Sequence, residues 1–208
     1  MMRELLYKIS KNTYGWFYRH AYARHFPLSG KLVADRSTRL IFKKGSKINI
    51  EESLILNGNS ICNNKRSSII RLDEDAVFNV RNNASIYYGA DIILFKGAEL
   101  TIGNSFINSD CRIRCHKSVM IGDDCAISHD FLVMDSDAHF LNGDNHTSPV
   151  IIGNHVWIGT RVTILSGVTV GDGAVIAAGS LVKDDIPEGA LVAGVPAKTV
   201  KENVRWRL

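Results

Sequence analysis

"IIGNHVWIGTRVTILSGVTVGDGAVIAAGSLVKDDI", residues 151–186, is the stretch on which the fold of this chain turns. An aliphatic residue recurs in it at every sixth position: Ile152, Ile158, Ile164, Val170, Ile176 and Val182. Four residues after each comes a second small or apolar one: Val156, Val162, Val168, Ala174, Ser180 and Ile186. A helix spaces its apolar positions by about 3.6 residues and a lone strand alternates with period two. Neither keeps a strict six over this length. A short strand, a turn and another short strand do, with one residue per side aimed inward. Repeats of this kind stack as coils around one shared core, as in a parallel β-helix. Gly153, Gly159 and Gly171 each follow an inward aliphatic directly, where a residue without Cβ bends most easily through a corner.

The rhythm continues upstream with slips. Ile121-Gly122 to Ile127 is one unit, with Val133 six residues on, and Ile102-Gly103 opens another unit one residue out of phase. "SIIRLDEDAVFNV" and "SKINIEESLIL" alternate like strands without a clean six, so irregular coils are expected from about Lys31. Between the regular halves lies "MDSDAHFLNGDNHTSP", residues 134–149, a polar stretch expected to project as a loop over 134–150. The repeat itself fits a structural solenoid as well as an enzyme.

The chain has 208 residues, of which 45% are hydrophobic and 22% charged, ordinary values for a globular protein. A net charge of +4 is too weak to argue for nucleic acid. No apolar run approaches the ~20 residues of a membrane span, and the start is not read as a secretory signal. Cys62, Cys111, Cys115 and Cys125 form no CxxC pair, and no metal-ligand cluster or phosphate-binding glycine loop is present. Reduced thiols in a cytoplasmic protein are expected. Residues 1–30 differ from the rest: Leu5, Leu6, Ile9, Trp16 and Phe17 mix with Arg3, Lys8, Lys11, Arg19 and Arg24, and Glu4 is the sole acid before Asp35. A short basic amphipathic helical segment fits, either capping the open end of the solenoid or lying on a membrane surface.

The stretch from Ile152 to Lys201 resembles the C-terminal half of the hexapeptide-repeat acyltransferases. It is especially similar to the maltose and galactoside O-acetyltransferase branch and to the capsule and O-antigen O-acetyltransferases. Five features in one order carry the resemblance: the repeat, an interrupting loop with a histidine, Val156-Trp157-Ile158-Gly159, Gly179-Ser180, and Gly194-Val195-Pro196-Ala197. It is strong over residues 100–201, weak over 31–99 and absent before. It implies an all-β, left-handed parallel β-helix over 31–200 with a tail at 201–208, a homotrimer, and acetyl-coenzyme A bound between neighbouring subunits.

The resemblance also assigns residues. His139 matches the general base carried by the loop. A positioned imidazole, with a pKa of roughly 6.5, takes the proton of an attacking sugar hydroxyl and returns it to the departing thiolate. If the stretch is extended, Asp135, Asp137 and His139 point to one side, and one aspartate, Asp137 by preference, holds the ring in its tautomer. His146, His129 and His155 fall on loop, turn or outward positions. Asn108 matches an acceptor contact. The next acceptor position in the family is an aspartate; here it is His116, with Arg112 and Arg114 nearby, which suits a larger or acidic glycan. Trp157 matches the residue lining the acetyl and pantetheine end, and Thr160 a donor to the thioester oxygen. Ala178 and Gly179 keep the wall small, and Lys183 and Lys201 answer the phosphates of coenzyme A.

The expected function is acetyl-CoA-dependent O-acetylation of a surface polysaccharide or its precursor, in the cytoplasm or at the inner membrane face, without metal. The competing readings are a small-molecule acetyltransferase for serine, a simple sugar or an antibiotic, and a non-catalytic β-helix scaffold.

Overall fold

The computed structural model describes residues 30–34, 38–57 and 66–208. The expected helical segment over residues 1–30 falls outside them but for Gly30. Nearly every element is a strand of two to five residues, and three parallel sheets run the length of the molecule as the faces of a three-sided solenoid. In the regular half, Trp157–Ile158 lies on the first face, Thr163–Ile164 on the second and Thr169–Val170 on the third. The next coil repeats the sequence of faces. Trp157 pairs with Val175, Thr163 with Leu181 and Ile151 with Thr169, each eighteen residues apart and each parallel. Six residues per side and three sides per coil are what the period of six encodes.

All twelve residues of the two aliphatic series are buried, Ser180 included. They stack in register from coil to coil. On the first face Leu56, Ile86, Ile107, Ile127, Ile158, Ile176 and Val192 form one buried column. Each such side chain contributes roughly 1.5–3 kcal/mol of burial, so the column stabilises the fold without disulfides. Ser180 is tolerated inside because its hydroxyl donates to the Ala177 carbonyl at 2.7 Å and accepts from the Gly194 amide at 3.2 Å.

The slips upstream have a simple cause. Phe106 pairs with Ala126, twenty residues on, and Ser85 with Phe106, twenty-one on. These coils carry four-residue strands, such as Arg112–Cys115 and Ser118–Ile121, where the regular half has two-residue ones, so the strands keep their inward alternation while the period is lost.

At the other end the chain turns back. Ala197–Lys201 pairs antiparallel with Leu191–Gly194, and residues 202–208 then run down the corner between the third and first faces. The Val204 amide bonds the Gly189 carbonyl at 2.8 Å, and Trp206 reaches the coil of His155. No helix among the described residues is long and apolar enough to cross a membrane.

Candidate active site

Two features of the coils present chemistry, and they lie at different corners. The first is the corner between the first and second faces. Successive coils place Asn108, Ser128, Gly159–Thr160 and Ala178–Gly179 there in one line. The ladder is continuous: the Asn108 amide donates to the Ile127 carbonyl at 2.8 Å, Ser128 to Ile158 at 2.9 Å, and Gly179 to Thr160 at 2.8 Å. Gly159 is required for this stacking. A Cβ there would meet the Ala178 backbone nitrogen at 2.6 Å. Beside the corner, Phe106, Asn108, Ser128, Trp157, Trp206 and Arg207 line a groove of about 300 Å³. Trp157 faces outward, 44% exposed.

Trp206 is a part of this site that sequence reading passes over. Its indole N–H donates to the His155 carbonyl at 2.8 Å, and its ring stacks on His155 with centroids 4.2 Å apart and 10° between planes. It also stands 6.1 Å from the Trp157 ring. The tail has no period, so only the folded path brings its tryptophan to the groove. The one available signal is an aromatic residue set among charged ones.

The second feature is the interrupting stretch. It is a hairpin, Ser136–Leu141 paired antiparallel with Asp144–Thr147. Asn142 and Gly143 form its two-residue turn, with φ of 53° and 88°. An Asn-Gly pair tolerates two successive left-handed residues, which is what a tight hairpin demands. The hairpin leaves the second face after Leu132–Met134 and returns to the third at Val150–Ile152, so it projects from the corner between those faces. Its base is pinned to the next coil. Ser166 Oγ donates to the Asp135 carbonyl at 2.8 Å, and the Gly167 amide to the Ser148 carbonyl at 3.1 Å.

The expectation that Asp135, Asp137 and His139 share one side fails. Asp135 is fully buried, whereas Asp137 and His139 are exposed. Ala138 adopts φ of 58° and the hairpin register shifts between Ser136 and Phe140, so alternation is broken between the two aspartates and the histidine. The Asp135 carboxylate instead accepts the backbone amides of His116, Lys117 and Ser118, each at 2.7 Å. It closes the turn beneath the hairpin, away from the exposed His139.

The other expected site residues are spread over the second face, the hairpin corner and the last strand. Arg112 is exposed on the second face. Arg114, on the same face, is ion-paired with Asp91 and donates to the Asp91 carbonyl at 2.7 Å. His116 lies at the hairpin corner, stacked on Phe95 with centroids 3.8 Å apart. Lys183 is engaged by Asp184 at 3.0 Å, and Lys201 is exposed at the end of the last strand. Hydrogen bonds from Lys183 and then Lys198 hold the Asp184 carboxyl below the ordinary carboxylate range.

A family model described as bacterial transferase hexapeptide (six repeats) matches residues 149–184. A putative lipopolysaccharide biosynthesis O-acetyl transferase, WbbJ, of Escherichia coli (strain K12) is 32% identical over 146 residues, covering 59% of this chain and 74% of the relative. The chain belongs to the bacterial hexapeptide-repeat transferases. Within this hexapeptide-repeat family it is also similar to the polysialic acid O-acetyltransferase of Escherichia coli O1:K1 / APEC, at 36% identity over 124 residues, or 56% of this chain and 40% of that one. The crystal structure of the polySia specific acetyltransferase NeuO superposes with a TM-score of 0.73 at 29% identity, over 86% of this chain and 82% of that chain. The chain spans about half the length of the first curated relatives it matches.

The three cysteines among the described residues of this hexapeptide-repeat chain are structural. Cys111, Cys115 and Cys125 are buried and unpaired. Burial pushes the Cys111 thiol up to about 12 and raises those of Cys115 and Cys125. A thiolate nucleophile is therefore not on offer at these positions. Among the described residues no group of three or more potential ligands could hold a metal ion.

Proposed function

We propose that the protein is an acetyl-CoA-dependent O-acetyltransferase acting on a sugar hydroxyl of a surface polysaccharide, capsule or O-antigen, or of its precursor. The observation that carries this reading is the line of Asn108, Thr160, Ala178 and Gly179 up one corner, with exposed Trp157 alongside. Small residues give a flat wall for a pantetheine arm. At Gly179 an added Cβ would meet nothing within 4 Å, so its backbone is open to a ligand. The acceptor class is supported by relatives whose names specify polysialic acid, galactoside and lipopolysaccharide biosynthesis.

In this reading His139 removes the proton of the sugar hydroxyl, whose oxygen attacks the thioester carbonyl carbon. Thr160 stabilises the oxyanion by hydrogen bonding. As the carbon–sulfur bond breaks, the imidazolium returns the proton to the thiolate. Asp137 fixes the ring's tautomer. Asn108 orients the acceptor, with Arg112 supplying the positive charge an acidic glycan needs and Arg114 and His116 as further acceptor contacts. The transfer is direct, in keeping with the buried thiols.

The two corners are separated by one six-residue side, about 20 Å at strand spacing. The groove at Trp157 includes no residue of the same chain's hairpin. A hairpin from one copy meeting the corner of the next completes the site, and cyclic closure of such a contact gives the homotrimer. Phe140, 74% exposed on the hairpin, and Trp157 are the large apolar groups such a contact would cover. Light scattering on the active enzyme is expected to give a trimer; a stable, active monomer would remove the shared site.

Lys201, with Lys183, answers the coenzyme A phosphates. Charge-assisted hydrogen bonds contribute about 1.5–3 kcal/mol each, so Lys201→Glu is expected to weaken coenzyme A binding by tenfold or more in calorimetry. Equal affinity for wild type and variant would direct the tail elsewhere. The basic segment Arg3–Arg24 supports a place at the inner membrane face, where anionic lipid attracts such segments.

Deleting the gene is expected to remove O-acetyl groups from one surface polysaccharide and leave its backbone unchanged, read by NMR of polysaccharide from both strains. Identical acetylation in both, with efficient acetylation of free serine or an antibiotic in vitro, would establish the small-molecule reading instead.

A further inference from the structure

The corner that holds Asn108 and Thr160 contains a second imidazole, and it is oriented. His129 sits between them in the stack. Its carbonyl accepts the Arg161 amide at 2.9 Å, and the Ser109 carbonyl accepts the Asp130 amide at 3.0 Å. Ser109, His129 and Thr160 are thus consecutive rungs of one corner, about 4.8 Å apart. Ser109 is 2% exposed and its hydroxyl lies 2.6 Å from His129 Nδ1. That is the one side-chain hydrogen bond recorded for Ser109 Oγ among the described residues. The imidazole itself is exposed, and its Nε2 has no partner among the described residues.

The direction of the Ser109–His129 bond follows from burial. If His129 donated through Nδ1–H, the Ser109 proton would be buried without an acceptor, which costs about 1–3 kcal/mol. If Ser109 donates, that proton is satisfied and Nδ1 is the acceptor. The ring is then the Nε2–H tautomer, with its remaining donor turned to the exposed side of the corner. Ser109 itself is unsuited to nucleophilic attack, because its oxygen is buried and committed to this bond.

We infer that His129 is a catalytic residue of the acyl transfer, its Nε2–H forming with Thr160 a two-donor cradle for the thioester oxygen, and that Ser109 is the positioning residue that fixes the tautomer. This rests on the acetyltransferase reading above. As the acceptor oxygen bonds to the carbonyl carbon, the carbonyl π pair moves onto oxygen, and the negative charge falls between the two donors. The acceptor proton passes to the base on the hairpin. When the pair returns, the carbon–sulfur bond breaks and the thiolate takes that proton, so His129 gives up none of its own. The acceptor of such a cradle is any acyl thioester oxygen, which makes the role independent of which sugar is modified.

The test uses the full-length enzyme, acetyl-CoA and, as acceptor, polysaccharide purified from the deletion strain. His129→Ala is expected to lower kcat by about a hundredfold, the scale of losing one oxyanion donor, with KM for acetyl-CoA within twofold and the melting temperature unchanged. His129→Gln, which presents a neutral N–H donor, is expected to recover most of the rate. Ser109→Ala is expected to lose about tenfold in kcat and Ser109→Thr to restore it. Imidazole ¹⁵N shifts of the wild type are expected to show His129 protonated at Nε2 and bare at Nδ1. Wild-type kcat in His129→Ala, equal loss in His129→Gln, or a proton found on Nδ1 would overturn the role of His129 and leave the enzyme's function standing. Absence of acetyl transfer by the wild type would overturn the underlying acetyltransferase reading instead.

Discussion

Replacing His139 with alanine is expected to slow acetyl transfer by a hundredfold or more, the usual scale for losing a positioned general base. Folding should not suffer. His139 is exposed on the projecting hairpin, outside the buried columns that hold the coils together. The variant should therefore melt with the wild type, keep its assembly state and bind coenzyme A with unchanged affinity. His146→Ala, on the opposite strand of the same hairpin, provides the contrast and should retain the wild-type rate. Near wild-type turnover of His139→Ala on the true acceptor would sink the assignment. Asp137→Asn should fall between the two, because it leaves the base in place and removes only its orienting carboxylate.

Asp135→Ala is expected to act in the opposite manner, through stability. Its carboxylate collects three backbone amides at 2.7 Å, and its carbonyl holds Ser148 and Ser166 at the hairpin base. Truncating the side chain strands three donors in a buried corner. About 3–5 kcal/mol of destabilisation follows from charged hydrogen bonds of this kind, read as a shifted denaturant midpoint. Asp135→Asn should cost less, since one acceptor oxygen remains. A variant with wild-type stability and a selectively lowered kcat would instead restore Asp135 as a partner of the catalytic histidine.

These opposite expectations for two aspartates two residues apart show where sequence reading is sharp and where it stops. From the chain alone, the residues 135–139 look like a uniform polar strand, and alternation places both aspartates with the histidine. A single left-handed residue, Ala138, and a register shift in the hairpin undo that inference. The stretch expected as a loop over 134–150 is a hairpin turned at Asn142-Gly143. His129 illustrates the same limit: on the chain it is a turn histidine, and only the stacking of coils sets it against Ser109 and beside Thr160.

The aliphatic period of six was sufficient to determine the solenoid. Burial of one strand residue and one corner residue per side is a local demand repeated along the chain, and Ile152 to Ile186 meets it without a slip. Gly159 likewise declares a tight corner in the sequence. Which residues share a corner is a different matter, because it depends on how many residues each coil takes, eighteen between Trp157 and Val175 but twenty between Phe106 and Ala126. That count is set by strand length, four residues at Arg112–Cys115 against two at Thr163–Ile164, and by backbone hydrogen bonding between coils, which the period of six does not record. The tertiary structure alone therefore decided that Asn108, His129 and Thr160 line one corner, that the hairpin stands at another, and that Trp206 returns from the tail to stand beside Trp157.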